Sequence, residues 1–166
     1  IANRIITFNP CDGVRVTRPK TKKAVKGASL VLKEVYEAIK YVFKDDVYFQ
    51  ALFLFALQGR RKSEILTLRW EYIDFDENIY TLPKTKNGEE QTFILPESIK
   101  ELLIVMKSNN KHYVFESPTE PTQHIQNIRS QTNKIKKVLN NDSFGIHYLR
   151  NLVVSAMAEQ GVNATF

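Results

Sequence analysis

The sequence predicts a mainly α fold with a small antiparallel β-sheet, an α+β class. Three observations carry that expectation. Apolar residues recur at helical spacing in several segments separated by short polar breaks. One stretch, Val47–Gln58, is apolar on nearly every side, as a helix at the centre of a domain must be. Two β-type runs, Ile79–Leu82 and Thr92–Leu95, flank Asn87-Gly88, the strongest short hairpin signal.

The elements follow in order. Leu32, Val35, Tyr36, Ile39, Val42 and Phe43 share one face and predict an amphipathic helix over residues 30–43. The buried helix Val47–Gln58 comes next. Gly59 interrupts it, since glycine accepts a turn that side chains resist. Lys62–Trp70 reads as a shorter helix. Ile73–Phe75 is a first short β run, and the hairpin Ile79–Leu95 carries the turn Lys84-Thr-Lys-Asn-Gly-Glu89. Pro96-Glu97 opens a helix to about Met106. Tyr113–Glu116 reads as a short extended piece. Ile125, Ile128, Ile135, Val138 and Leu139 predict a helix over 122–139, whose other face carries Arg129, Lys134, Lys136 and Lys137 with no acid between them. A last helix spans Ile146–Gln160, with Gly161 at its C-terminal cap. Asn163–Phe166 reads as the start of another.

Composition narrows the function. A chain of 166 residues is one domain at about 100–200 residues per domain. Charged residues at 25% and hydrophobic ones at 43% exclude a disordered chain. The longest apolar run, Ala51–Leu57, is far short of the roughly 20 residues of a membrane span. The single Cys11 excludes an internal disulfide and a cysteine-based zinc site, and fits a reducing cytoplasm. The net charge of +6 points to nucleic acid, but its distribution matters more. Residues 1–30 hold seven cations, Arg4, Arg15, Arg18, Lys20, Lys22, Lys23 and Lys26, against Asp12 alone. The rest of the chain balances at 17 cations and 17 anions, so the whole excess lies in the N-terminal arm. Residues 9–28, rich in Pro, Gly and Lys with no apolar period, read as a basic linker ahead of a compact body. With Ile1 in first place, the sequence reads as a segment cut from a longer protein at both ends.

Several chemistries lack their signatures. There is no Gly-x-x-x-x-Gly-Lys phosphate loop and no dinucleotide fingerprint. His112, His124 and His147 have neither the spacing nor the cysteine partners of a metal site. No Gly-x-Ser-x-Gly turn presents a serine. Asp74, Glu77, Lys84 and Lys86 lack the acid-x-Lys element of a metal nuclease. No cofactor or metal is expected. What remains is cationic. Gln58-Gly-Arg-Arg-Lys-Ser-Glu64 puts an arginine just past the buried helix, with Glu64 three positions beyond Arg61 and able to brace it. His147-Tyr-Leu-Arg150 puts two potential phosphate ligands on one helix face.

Taken together and in this order, these elements resemble the catalytic domain of the tyrosine recombinases, the phage-integrase family. Gly59-Arg-Arg-Lys-Ser-Glu64-Ile-Leu-Thr-Leu-Arg-Trp70-Glu-Tyr-Ile-Asp74 resembles the family's Gly-x-Arg-x-x-Glu box, with Tyr72 in place of its usual acid. Thr85-Lys86-Asn87-Gly88 through Pro96 resembles its lysine-bearing hairpin. His147-Tyr-Leu-Arg150 resembles its His-x-Leu-Arg helix, although Asn151-Leu152-Val153 departs from the usual continuation.

The resemblance implies the family's DNA breaking–rejoining fold and metal-independent strand exchange on double-stranded DNA, with 1–28 as the basic linker and end of an N-terminal core-binding domain and 29–166 as a catalytic domain lacking its C-terminal helices. It implies Arg61 and Arg150 on the scissile phosphate, His147 as a hydrogen-bond donor to it, Lys86 as the acid for the leaving 5′-hydroxyl, and Glu64 as the brace of Arg61. In register, Arg60 is the alternative to Arg61. Arg15, Arg18, Lys20, Lys22, Lys23, Lys134, Lys136 and Lys137 would follow the DNA backbone. The family's nucleophilic tyrosine follows the His-x-x-Arg helix, and no tyrosine here lies beyond Tyr148. The segment itself is therefore expected to be inactive and monomeric, and the intact protein to act as a homotetramer on DNA. Two alternatives share the pattern: a non-cutting DNA-binding regulator of the same fold, and a type IB topoisomerase.

Overall fold

The computed structural model describes residues 25–83, 90–107 and 112–161. In chain order these form α1 (Ala28–Val42), α2 (Val47–Ala56), α3 (Lys62–Leu66), a single 3-10 turn (Trp70–Tyr72), β1 (Ile73–Asp74), β2 (Ile79–Leu82), β3 (Gln91–Ile94), α4 (Glu97–Met106), α5 (Arg129–Leu139) and α6 (Ile146–Glu159). The mainly helical fold with a small antiparallel sheet is the predicted class.

α2 is the axis of the domain. Asp46 caps its start by accepting from the Phe49 N–H at 3.1 Å. Its six residues Ala51–Ala56 are all buried. The reason is position, because α2 packs against α1, α3, α4 and α6 and leaves no side for a polar stripe. Each of Leu52, Phe53 and Phe55 contributes about 1.5–3 kcal/mol by leaving water.

The sheet runs β1-β2-β3, with Ile73 opposite Tyr80 and Tyr80 opposite Phe93. Its inner face is aromatic. Tyr80 and Phe93 lie 5.5 Å apart across the strands, and Tyr80 stands edge-on to Phe55 of α2 at 5.3 Å. On the outer face the Thr81 and Thr92 hydroxyls share a 3.1 Å hydrogen bond.

α1 has no capping side chain of its own, and Gly27 before it has φ +66°. Its first turn is capped from the other end of the domain. The Glu159 carboxylate accepts from the Ala28 N–H at 2.9 Å, the Ser29 N–H at 3.1 Å and the Ser29 hydroxyl at 3.1 Å. The Val25 N–H adds a 3.3 Å bond to Ser155 Oγ. α6 thus lies along α1 and is stapled to it at its last turn.

Two expectations need correcting. The helix expected over 122–139 begins only at Arg129. Ile125 and Ile128 have helical spacing, but the Ile125 N–H donates to the Phe115 carbonyl at 2.7 Å, and Glu116 pairs with His124 as an isolated bridge. Asn127 then accepts from the Arg129 N–H at 2.9 Å and starts the helix there. The helix expected over Lys62–Trp70 ends at Leu66, because Arg69 leaves to bridge Tyr113. At the other end, Gly161 takes a left-handed φ of +73°, and its N–H bonds the Ala158 carbonyl, the capping geometry expected of it. The turn 84–89, the basic arm 1–24 and the tail 162–166 lie outside the described residues.

Candidate active site

The site is built on three consecutive residues. α2 ends at Ala56, and the Gly59 N–H closes the exit with a 3.1 Å bond to the Ala56 carbonyl. Gly59 has φ +72°, a conformation a side chain resists. That turn presents the Gly59 carbonyl to α6, where Arg150 Nη1 donates to it at 2.6 Å. The two motifs, 91 residues apart in sequence, meet at this bond.

Arg61 is held from the other side. It is the residue before α3, and Glu64 at the third helical position accepts from its backbone N–H at 2.8 Å. The other Glu64 oxygen accepts from Arg61 Nη1, also at 2.8 Å. The Glu64 side chain is only 10% exposed and that of Arg61 37%, so the brace is shielded while the guanidinium still reaches solvent.

Arg60 takes a different direction. Its guanidinium carbon lies 3.4 Å from the centroid of the Phe93 ring on β3. Its Nε is buried with no hydrogen-bond partner among the described residues, and the Tyr80 hydroxyl is buried close by. Burial pushes the Tyr80 hydroxyl up, and the Arg60 charge opposes that shift. The adjacent arginines therefore separate, with one stacked on the sheet and the other paired with Glu64.

The charges converge. The half-buried Arg150 is lowered in basicity first by desolvation and next by the Arg61 charge; Glu64 opposes this, and Arg60 adds a smaller lowering. Arg150 remains a cation at neutral pH. Three guanidiniums with one carboxylate leave a local excess of positive charge, the requirement for holding an anion. His147 lies one turn before Arg150 on the same face of α6, exposed, in a first turn with no acid. The start of α6 adds its dipole in the same sense.

The other expected residues lie elsewhere. Lys134 and Lys137 are exposed and Lys136 is half-buried on α5, which packs against α1. Lys136 and Lys137 occupy its last turn, where cations favour the helix dipole, and Asn140 closes it with φ +48°. Lys86, Arg15, Arg18, Lys20, Lys22 and Lys23 fall outside the described residues. Among the described residues, no three His, Cys, Asp or Glu side chains meet in a way that could hold a metal ion. A cleft of about 550 Å³ beside β1, with Glu71, Asp74, Asp76 and Lys107 on its walls, contains none of the expected site residues. Sequence reasoning missed Phe93 and Tyr80 as partners of Arg60. The available signal was the aromatic at alternate positions of a hairpin, which does not say what stacks on it.

Comparison with known proteins gives the context. Residues 29–166 match the model of the phage integrase family. The shufflon-specific DNA recombinase of Escherichia coli is 28% identical over 154 residues, which is 92% of this chain and 38% of that protein. In structure, the XerA recombinase superposes with a TM-score of 0.66 at 16% identity, over 89% of this chain and 54% of that one. The Tn1549 transposon integrase, solved in complex with transposon right end DNA, gives 0.65 at 16% identity, over 95% of this chain and 59% of that one. The chain thus spans about four-tenths of its curated relative and little more than half of the solved structures.

Proposed function

The chain belongs to the phage integrase family, and on that premise we propose that it forms the core of the catalytic domain of a site-specific DNA recombinase. The observation that carries the reading is the 2.6 Å bond from Arg150 to Gly59, which brings the His-x-x-Arg helix onto the arginine turn. The substrate is double-stranded DNA, and the reaction proceeds without a metal or cofactor in the cytoplasm, where the DNA is. Among the described residues no helix is long and apolar enough to cross a membrane.

The chemistry follows from the charges. In phosphoryl transfer, negative charge accumulates on the non-bridging oxygens of the transferring phosphate. Arg61 and Arg150 neutralise those oxygens with planar, permanently charged forks. Their prior fixation means that no reorganisation is needed at the moment of reaction. His147 donates a further hydrogen bond and takes part in proton transfer. A tyrosine oxygen supplied from outside this sequence attacks phosphorus as the bond to the 5′-oxygen breaks. Lys86 gives that oxygen its proton. The 3′-phosphotyrosine keeps the phosphodiester's bond energy, so a 5′-hydroxyl from another strand reverses the step and completes the exchange. Arg15, Arg18, Lys20, Lys22 and Lys23 in the arm, with Lys134, Lys136 and Lys137 on α5, follow the phosphate backbone. The chain by itself is a monomer that does not cleave, and the whole protein assembles as a tetramer on DNA.

The test is to incubate the full-length protein with a nicked duplex carrying its exchange site and run the products under denaturing conditions. A stable protein–DNA adduct is expected, with its rate of formation reduced roughly 100- to 1000-fold by Arg61→Ala. Absence of the adduct overturns the enzyme reading and leaves a DNA-binding regulator, whereas an adduct that forms as fast in Arg61→Ala overturns the role given to Arg61.

A further inference from the structure

Arg60 is the member of the cluster that the proposed chemistry leaves without a task. Its guanidinium lies on the Phe93 ring at 3.4 Å, well within the roughly 6 Å range of a cation–π contact. An arginine that grips an anion presents a fork of N–H groups to it. Here Nε is buried with no hydrogen-bond partner among the described residues, so stacking accounts for the placement better than anion binding does.

The ring it rests on belongs to a closed set of contacts. Phe93 is the cross-strand partner of Tyr80, and Tyr80 stands edge-on to Phe55 of α2. Phe55 lies on the helix that leads directly into the turn carrying Arg60. The path therefore runs from α2 through Tyr80 and Phe93 to Arg60 and back along the backbone to α2. The neighbours on either side are tied differently, with Gly59 bonded to α6 through Arg150 and Arg61 bonded to Glu64 of α3. Three consecutive residues thus bind three separate parts of the domain.

We infer that Arg60 is a positioning residue: by stacking on Phe93 it holds the turn 59–61 in register with β2 and β3, and so sets the direction in which Arg61 and Arg150 face a phosphate. This rests on the reading of Arg61 and Arg150 as phosphate ligands. Charge alone does not explain the arrangement, since a third cation would act from any nearby position, whereas the stack needs a planar group over a ring.

The test uses the full chain with ¹⁵N-labelled arginine, titrated with inorganic phosphate. It follows the Nε–H signals of Arg61 and Arg150, and in parallel the hydrogen exchange of residues 59–61 and 91–94. Arg60→Gln and Phe93→Leu are each expected to weaken phosphate binding about five- to tenfold and to speed exchange in both segments together. The double variant binds no more weakly than either single one, because both remove one contact. Phe93→Tyr keeps the ring and binds as the original does. Arg60→Lys keeps the charge without the plane and behaves like Arg60→Gln. Original affinity in Arg60→Lys, or faster exchange in the turn with the strands unaffected, overturns the inference. If neither Arg61 nor Arg150 responds to phosphate in the unsubstituted chain, the phosphate reading fails separately, and the exchange measurement still decides whether Arg60 couples turn to sheet.

Discussion

The arginine turn and α5 carry the same kind of charge and treat it in opposite ways. On α5, Lys134 and Lys137 are exposed, on a helix that holds itself in place through buried Ile135. At the turn, the cations are tied down. Arg61 is bonded to Glu64, Arg150 to the Gly59 carbonyl, and Arg60 lies on Phe93. A solvated lysine attracts a phosphate backbone diffusely, and salt weakens that attraction. A fixed arginine loses some hydration but gains direction, and direction is what a developing charge on one phosphorus requires. The net charge of a region therefore says little about its work, while the number of bonds holding each cation says a good deal.

That contrast can be broken from the fixed side first. Glu64→Ala removes both bonds to Arg61 and should make it behave like an α5 lysine. DNA affinity should change little, while the rate of adduct formation in the full-length protein falls roughly 10- to 100-fold from misplacement. Thermal unfolding should show a loss of about 1 kcal/mol. A variant whose DNA affinity falls in proportion to its rate would show that Arg61 acts by charge alone.

A second, smaller test concerns the far end of the helix that carries Arg150. Hydrogen bonds from the Ala28 and Ser29 N–H groups hold the Glu159 carboxyl below its usual range. A carboxyl depressed in the folded state adds stability above its unfolded value of about 4.3, and that stability is lost as pH falls through the folded value. The original chain should therefore be more stable than Glu159→Gln at pH 6, with the gap closing as pH drops below about 4. Chemical denaturation at several pH values measures it, and a gap independent of pH would remove the carboxylate from the account.

The smallest effect belongs to α5. Lys134→Ala and Lys137→Ala should each lower the slope of log affinity against log salt by about 0.9, one phosphate contact apiece, and leave melting unchanged. Loss of stability in either variant would mean that these residues are fixed after all, and the contrast would dissolve.

How far the sequence revealed this division depended on the range of the interactions involved. α1, α2, α4 and α6 were legible to within a few residues, since an apolar stripe or an all-round apolar run reports burial directly. β2 and β3 followed from the turn signal between them. The start of α5 was not legible, because Ile125 and Ile128 fit a helix and only the distant Phe115 carbonyl says otherwise. The Glu64 brace was readable because its partner is three residues away. The bond from Arg150 to Gly59 and the stack of Arg60 on Phe93 were not, since each depends on which surfaces meet once the domain closes. Spacing to Glu64 favoured Arg61 over Arg60 as the braced arginine, but nothing in the sequence said where Arg60 would go, and the fold lays it on Phe93.

The carboxylate that caps α1 lies 131 residues downstream of the amide it binds. A contact that distant forms late, because the chain must lose its loop entropy before the contact repays anything. Synthesis at about 5–20 residues per second delivers α1 seconds before the residue that completes it. Among the described helices, the first in the chain is thus capped by the last, and its opening turn lacks that cap until the helix bearing His147 and Arg150 has docked beside it.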